Sequence, residues 1–219
     1  DPDVDALIAE LADRADRPES RQLLFEMVAS AYRMGVEGLD RGELKLVNTT
    51  LKEIRYAFGL FEPYQGIRKV SIFGSARTKP DDAAYRCAHD LGAAMAAREW
   101  MIMTGAGPGI MQAGIEGAGA ENSFGINIVL PFESEAVSVI ADDPKLINFR
   151  YFFTRKLSFM KESYGFALLP GGFGTMDEAF ELLTLMQTGK QPIVPVVLLD
   201  PPGETYWDTW QRFVEDELL

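Results

Sequence analysis

With 219 residues, of which 47% are apolar, the chain can bury one sizeable core, and two independent domains would be cramped. The formal net charge of -12 repels nucleic acid and acidic membrane surfaces, which argues against a polynucleotide partner but leaves a small anion free to bind locally. No stretch approaches the roughly 20 apolar residues that cross a bilayer, and Asp1-Pro2-Asp3 lacks the basic-then-apolar pattern of a signal peptide, so a soluble, cytoplasmic protein is expected. The single Cys87 excludes an intrachain disulfide and a cysteine metal cluster, agrees with a reducing compartment, and reads as a small core residue. The start at Asp1 without methionine and the stop at Glu217-Leu218-Leu219 point to a trimmed piece of a longer chain.

From Val4 to Gly59 there is no strand-like alternation. Val4, Leu7, Ile8 and Leu11 recur at helical spacing, as do Leu23, Leu24, Met27, Val28 and Ala31. Pro18 suits the first turn of a second helix, breakers lie between Gly35 and Gly42, and Leu44 to Phe58 predicts a third helix with Leu44, Val47, Leu51, Ile54 and Phe58 on one face. Residues 1–66 therefore read as a helical extension that covers the core or builds an oligomer contact.

At Lys69 the grammar changes to short apolar runs ending in glycine, alternating with helical patterns, as in βαβ units. Strands are predicted at Lys69 to Phe73, Trp100 to Thr104, Phe124 to Leu130, near Leu146 to Phe152, Gly165 to Leu169, and Ile193 to Leu198. Helices are predicted at Asp82 to Arg98, Gly109 to Asn122, Phe153 to Glu162, Thr175 to Thr188, and Thr205 to Glu217. Several strands are apolar on both faces, which a parallel sheet between two helix layers requires. The fold class expected is α/β, with residues 67–219 forming a Rossmann-like, mainly parallel sheet with helices on both faces.

Ligands in such sheets bind at the carboxyl ends of the strands. Three turns there are glycine-rich: Gly74-Ser75-Ala76-Arg77 after the first strand, Gly105-Ala106-Gly107-Pro108-Gly109 after the second, and Pro170-Gly171-Gly172-Phe173-Gly174-Thr175 after the fifth. In the third, successive N–H groups and the Thr175 hydroxyl at a helix start make an anion cradle. A single turn of this kind needs glycine only for tightness, but three at one sheet edge favour a phosphate site. The dinucleotide fingerprint fails, because Ile110 stands where glycine is needed and no acidic residue closes the strand at Leu130; a Walker loop fails because no lysine precedes Thr175. A mononucleotide is the expected ligand.

Glu178, three residues beyond Thr175, is placed on the inward face, while Asp177 points elsewhere. A carboxylate there would in any case complement the positive helix end by about 0.3–1 kcal/mol. Arg155 and Lys156 follow the aromatic strand Phe149-Arg150-Tyr151-Phe152-Phe153 and open a helix into the fifth strand, so both can face the same crevice. Cations at a helix start oppose the dipole and require an anionic partner, which a phosphate and Glu178 would supply.

On these residues the segment from about Lys69 to Trp210 resembles the LOG ("lonely guy") phosphoribohydrolases. Pro170 through Glu178 meets the family motif Pro-Gly-Gly-x-Gly-Thr-x-x-Glu in full, and Arg155-Lys156 meets its Arg-Lys pair. Gly107-Pro108-Gly109-Ile110-Met111, Asn127-Ile128-Val129-Leu130-Pro131-Phe132-Glu133 and Gln187-Thr188 look like the larger bacterial branch with added N-terminal helices. Ala106 departs from the glycine of many relatives. The resemblance implies a hydrolase without a cofactor that cleaves AMP, or a cytokinin-type N6-modified AMP, to free base and ribose 5-phosphate, acting as a homodimer or higher homo-oligomer. It assigns catalysis to Arg155 and Glu178. Phosphate is expected against Gly171, Gly172, Gly174 and Thr175, with Gly107, Gly109 and Lys156 nearby, and base and ribose toward Gly74, Ser75, Met111 and Glu133.

Other readings fare worse. His89 is the sole histidine and no carboxylate cluster has metal-ligand spacing. Ser75 lacks a histidine partner and a Gly-x-Ser-x-Gly elbow. Relatives have been labelled lysine decarboxylases, which would demand pyridoxal phosphate on a lysine; only Lys156 lies near the crevice, and nothing separately suits a pyridine ring. The alternative from another class is a non-catalytic nucleotide sensor or carrier using the same cradle.

Overall fold

Strands and helices alternate from Lys69 onward in the computed structural model, which describes residues 1–15, 17–130 and 139–218. The chain divides into two compact units, Asp1–Lys52 and Glu53–Leu219. The first holds α1 (Pro2–Asp13), α2 (Arg21–Val36) and the beginning of α3 (Arg41–Phe61). Ile8, Ala12 and Ala29 are its buried apolar residues, while Leu7, Leu11, Leu23, Met27 and Val28 stay exposed despite their helical spacing. The unit boundary falls inside α3, earlier than the boundary expected after residue 66, because Ala57 and Phe61 at the end of that helix belong to the core of the sheet.

The second unit is a parallel six-stranded sheet of β1 (Lys69–Phe73), β2 (Met101–Thr104), β3 (Ser123–Ile128), β4 (Leu146–Phe149), β5 (Gly165–Leu168) and β6 (Val196–Leu198), in the order β4-β3-β2-β1-β5-β6. Its helices are α4 (Ala83–Ala96), α5 (Ile110–Ala118), α6 (Phe152–Glu162), α7 (Phe173–Gln187) and α8 (Tyr206–Phe213). Strand alternation sends Val70, Ile72, Ile102 and Ala167 to one face, where they pack with Tyr85, Ala88, Ile110 and Ala113 of α4 and α5. It sends Phe73, Met103, Phe124, Ile126, Phe166 and Leu168 to the other, against Phe159 of α6, Leu182 of α7 and Trp207 of α8. The expected α/β fold with helices on both faces is present. No described helix is long and apolar enough to cross a membrane.

Strand ends moved for identifiable reasons. β4 stops at Phe149 rather than near Phe152 because the Arg150 N–H donates to Glu53 Oε1 at 2.7 Å and not to another strand. β6 begins at Val196 because Pro195 has no N–H for the ladder, although its carbonyl still accepts from Phe166 N at 2.9 Å. Cys87 is half-buried on α4, where it packs against the core from its edge.

The chain builds outward from β1 to β4 along one edge, then crosses through α6 to lay β5 on the other side of β1. The turns after β1 and β5 therefore part in opposite directions, opening the crevice in which ligands bind to sheets of this kind.

Candidate active site

The three glycine turns meet at Ser75. Its N–H donates to Pro170 O at 3.0 Å, its carbonyl accepts from Ile110 N at 3.1 Å, and its hydroxyl accepts from Arg77 N at 3.1 Å. Gly109 allows the middle contact: its φ is +70°, and a Cβ there would strike Ser75 O and the Ala76 backbone. Ala106, in the same turn, takes φ 57° with its methyl buried, so the position where relatives carry glycine is held in the left-handed region by an alanine, which costs about 1–2 kcal/mol.

Above these turns lies a cavity of about 720 Å³, within the usual size of small-molecule sites. Of the expected site residues, Gly74, Ser75, Met111, Arg155, Gly171, Gly172, Gly174, Thr175 and Glu178 line it. Gly107 and Gly109 do not line it; a Cβ on Gly107 would meet Met111 Cε, so this turn supports Met111 from below. Lys156 does not line it either. Glu133 lies outside the described residues.

The cradle forms because α7 starts at Phe173, two residues earlier than expected, with Gly172 as its N-cap and no side chain capping it. Its first N–H groups are thus left for a ligand, at the positive end of a 15-residue helix. Thr175 folds under Gly171, and no Cβ would fit there, since it would collide with Thr175 Oγ1. Tyr206 donates its hydroxyl proton to Gly171 O at 2.5 Å. With that carbonyl pinned, the trans peptide turns the Gly172 N–H the opposite way. Tyr206→Phe should therefore loosen the cradle and weaken inorganic phosphate binding about fivefold by calorimetry, the worth of one such hydrogen bond; unchanged affinity would remove Tyr206 from this role.

Arg155 reaches the cavity from the first turns of α6. Its Nε donates to Ile126 O at 2.7 Å, its guanidinium carbon lies 5.2 Å from the Phe159 ring centre, and Nη1 donates to Glu178 Oε1 at 3.3 Å. The side chains of the pair are 11% and 5% exposed. Glu178 Oε2 is buried and has no hydrogen-bond partner among the described residues, which is uncommon in folded proteins. Burial pushes the Glu178 carboxyl up to about 7; Arg155 and Lys156 oppose this, and Asp177 and Glu181 add to it. Burial also lowers the pKa of Arg155, against the pull of Glu178 and Asp177. A half-neutral carboxyl with one free oxygen in a cavity can take or give a proton near neutral pH.

Lys156 points along α7 instead of into the crevice, with Nζ 2.8 Å from Asp177 Oδ2 and 2.5 Å from Glu181 Oε2. Its anionic partners in the fold are these two carboxylates. Sequence reasoning also missed Arg77 and Phe173, both lining the cavity, Phe173 being 97% exposed. It missed Tyr206, which lies 35 residues from its partner, and Glu53, which accepts from Thr154 Oγ1 at 2.6 Å and holds the start of α6. Only Arg77 and Phe173 carried a local signal, by standing inside the glycine turns.

Comparison with known proteins identifies the family. The sequence pattern of the family described as "Possible lysine decarboxylase" matches residues 103–219. A protein of Escherichia coli strain K12 named pyrimidine/purine nucleotide 5'-monophosphate nucleosidase is 30% identical over 146 residues, taking in 59% of this chain and 31% of that protein, and the O157:H7 protein of the same name matches equally. The chain thus spans about a third of the length of these relatives. Among solved structures, the molybdenum cofactor binding protein of Rippkaea orientalis is similar at 22% identity and TM-score 0.48, over 68% of this chain and 82% of that one. The Moco carrier protein of Chlamydomonas reinhardtii is similar at 20% identity and TM-score 0.45, over 69% and 85%. With the family pattern running from β2 through both the Arg155 and the Glu178 elements, the chain belongs to the family described as "Possible lysine decarboxylase", the LOG family.

Proposed function

We propose that this chain hydrolyses the N-glycosidic bond of a nucleoside 5'-monophosphate, AMP or a cytokinin-type N6-modified AMP, giving free base and ribose 5-phosphate. The observation that carries the reading is Glu178, which lines a cavity ending at an uncapped helix N-terminus, with one oxygen on Arg155 and the other unpartnered among the described residues. Phosphate binds the first N–H groups of α7 with the Thr175 hydroxyl, and Arg77 adds charge at the rim. As the bond from C1' to the base breaks, its electron pair leaves with the base nitrogen and positive charge builds on the ribose. The ionised Glu178 stabilises that charge and takes the proton of the attacking water, whose hydroxyl joins C1'; the proton then passes to the departing base. Arg155 favours the ionised form of Glu178 against burial and holds substrate oxygens, since a guanidinium does not serve as an acid.

The decarboxylase wording of the family description implies pyridoxal phosphate held on a lysine. No lysine is among the described residues lining the cavity, and the Lys156 ammonium is taken by two carboxylates, so the residues present do not fit that group.

Self-association is part of the proposal, supported by apolar side chains left exposed on α3, among them Leu44, Val47 and Leu51; light scattering should give at least a dimer mass. A reducing compartment such as the cytoplasm suits a chain with one cysteine.

Incubation with AMP, N6-isopentenyl-AMP, GMP, CMP and a dinucleotide, followed by chromatography of the free base, tests the reading. Release from at least one monophosphate is expected; tight binding with every substrate left intact would support the carrier instead. Because Glu178 acts ionised, kcat/KM should rise about tenfold per pH unit below a midpoint near 7 and level off above it. A rate that falls through that range would assign Glu178 the acid role.

A further inference from the structure

Asp177 and Glu181 stand one residue before and three after Glu178, so three carboxylates occupy little more than one turn of α7. Opposite them α6 offers two consecutive cations, which divide the work. Arg155 takes Glu178, and Lys156 takes both neighbours, at 2.8 and 2.5 Å. The Lys156 side chain is only 10% exposed, while Asp177 is 57% exposed and carries its charge at the surface. A buried ammonium with two partners is an expensive arrangement for simple helix docking, which apolar contact between α6 and α7 would provide at lower desolvation cost.

We propose that Lys156 is a positioning residue for the Arg155–Glu178 pair: by holding Asp177 and Glu181 it fixes α6 against α7 and cancels the two charges that flank Glu178 on its own helix. Without it, Glu178 faces two like charges and a single arginine, and its carboxyl stays protonated over the range where the hydrolysis needs it ionised. Among the described residues, the charged groups that bear on Glu178 are Arg155 and Lys156 from α6 and Asp177 and Glu181 from α7. Burial works against the Lys156 charge, and its bonds to Asp177 and Glu181 outweigh burial and hold the ammonium above its ordinary range, so it remains a cation while Glu178 titrates.

The effect on rate rests on the hydrolase reading, but the effect on charge does not, so Glu178 is titrated directly by carboxyl carbon NMR, its signal assigned by loss in Glu178→Gln. Lys156→Met should raise the Glu178 midpoint by about one pH unit or more, and Lys156→Arg should keep it near the wild-type value. Asp177→Asn with Glu181→Gln, at partly exposed positions and with Lys156 retained, should lower it. Adding those two changes to Lys156→Met should bring it back down. A midpoint unmoved by Lys156→Met, or a triple variant no lower than Lys156→Met alone, overturns the proposal. If Lys156→Met does not fold, the Asp177/Glu181 pair decides alone, and an unchanged midpoint there overturns it. With AMP as substrate, the acid limb of kcat/KM should shift by the same amount; absence of any base release would sink the hydrolase reading and leave the titration result standing.

Discussion

Glu178→Gln is expected to cut base release from AMP by about a thousandfold or more, the usual worth of a positioned acid–base group, while making the protein more stable at pH 8. The second half follows from linkage. The folded state holds the Glu178 proton more tightly than the unfolded chain, with the carboxyl raised to about 7 from an ordinary 4.5. For a group shifted upward, stability is greatest where it is protonated in both states and is lost as pH rises through the folded value. The shift already includes the attraction of Arg155 and Lys156, which fails to offset burial. Glutamine mimics the neutral form, so at pH 8 the variant should gain up to about 3 kcal/mol, several degrees of melting temperature at roughly 2–4 °C per kcal/mol. At pH 4 the two proteins should melt together. Calorimetry at both values checks this; a variant less stable at pH 8 would mean that the ion pair with Arg155 outweighs burial. Arg155→Ala should be as inactive as Glu178→Gln without the gain, because it leaves the carboxyl without its counter-charge.

Gly171→Ala is expected to cost about a hundredfold in kcat/KM, mostly through KM, since misplacement by an ångström is known to cost that much. The added methyl would collide with Thr175 Oγ1 and lie 2.7 Å from Thr175 Cβ and 3.1 Å from Ser75 N, so the cradle or the β1 turn must move. Gly172→Ala is the control: its φ of -99° suits any residue and a Cβ there meets nothing within 4 Å. The control should melt like the wild type, and Gly171→Ala should not.

Much of this was legible in the residues. β1 spans the predicted Lys69–Phe73 end to end, because a strand covered on both faces is a continuous apolar run that stops at glycine. The pairing of Arg155 with Glu178 followed from two short motifs on elements flanking one strand. Lys156 pairs with Asp177 and Glu181, although a cation beside a phosphate cradle reads as a ligand for it; the i and i+4 spacing of the two carboxylates is the clue in the sequence. Glu53 left no such clue: its carboxylate reaches Arg150 across 97 residues, and only the folded chain brings them together. Strand and helix ends failed for the same reason at β4, where a distant side chain, and not local propensity, decides where pairing stops.

The central claim is that Arg155 and Glu178 form a centre that cuts a nucleotide rather than merely holding it. The most direct measurement follows adenine and ribose 5-phosphate together during incubation of AMP with the wild-type protein, Arg155→Ala and Glu178→Gln at pH 8. Equal amounts of both products from the wild type, and traces from folded variants that still bind inorganic phosphate, are the predicted result. Full activity in either variant, or a wild type that binds AMP and releases neither product, would contradict it.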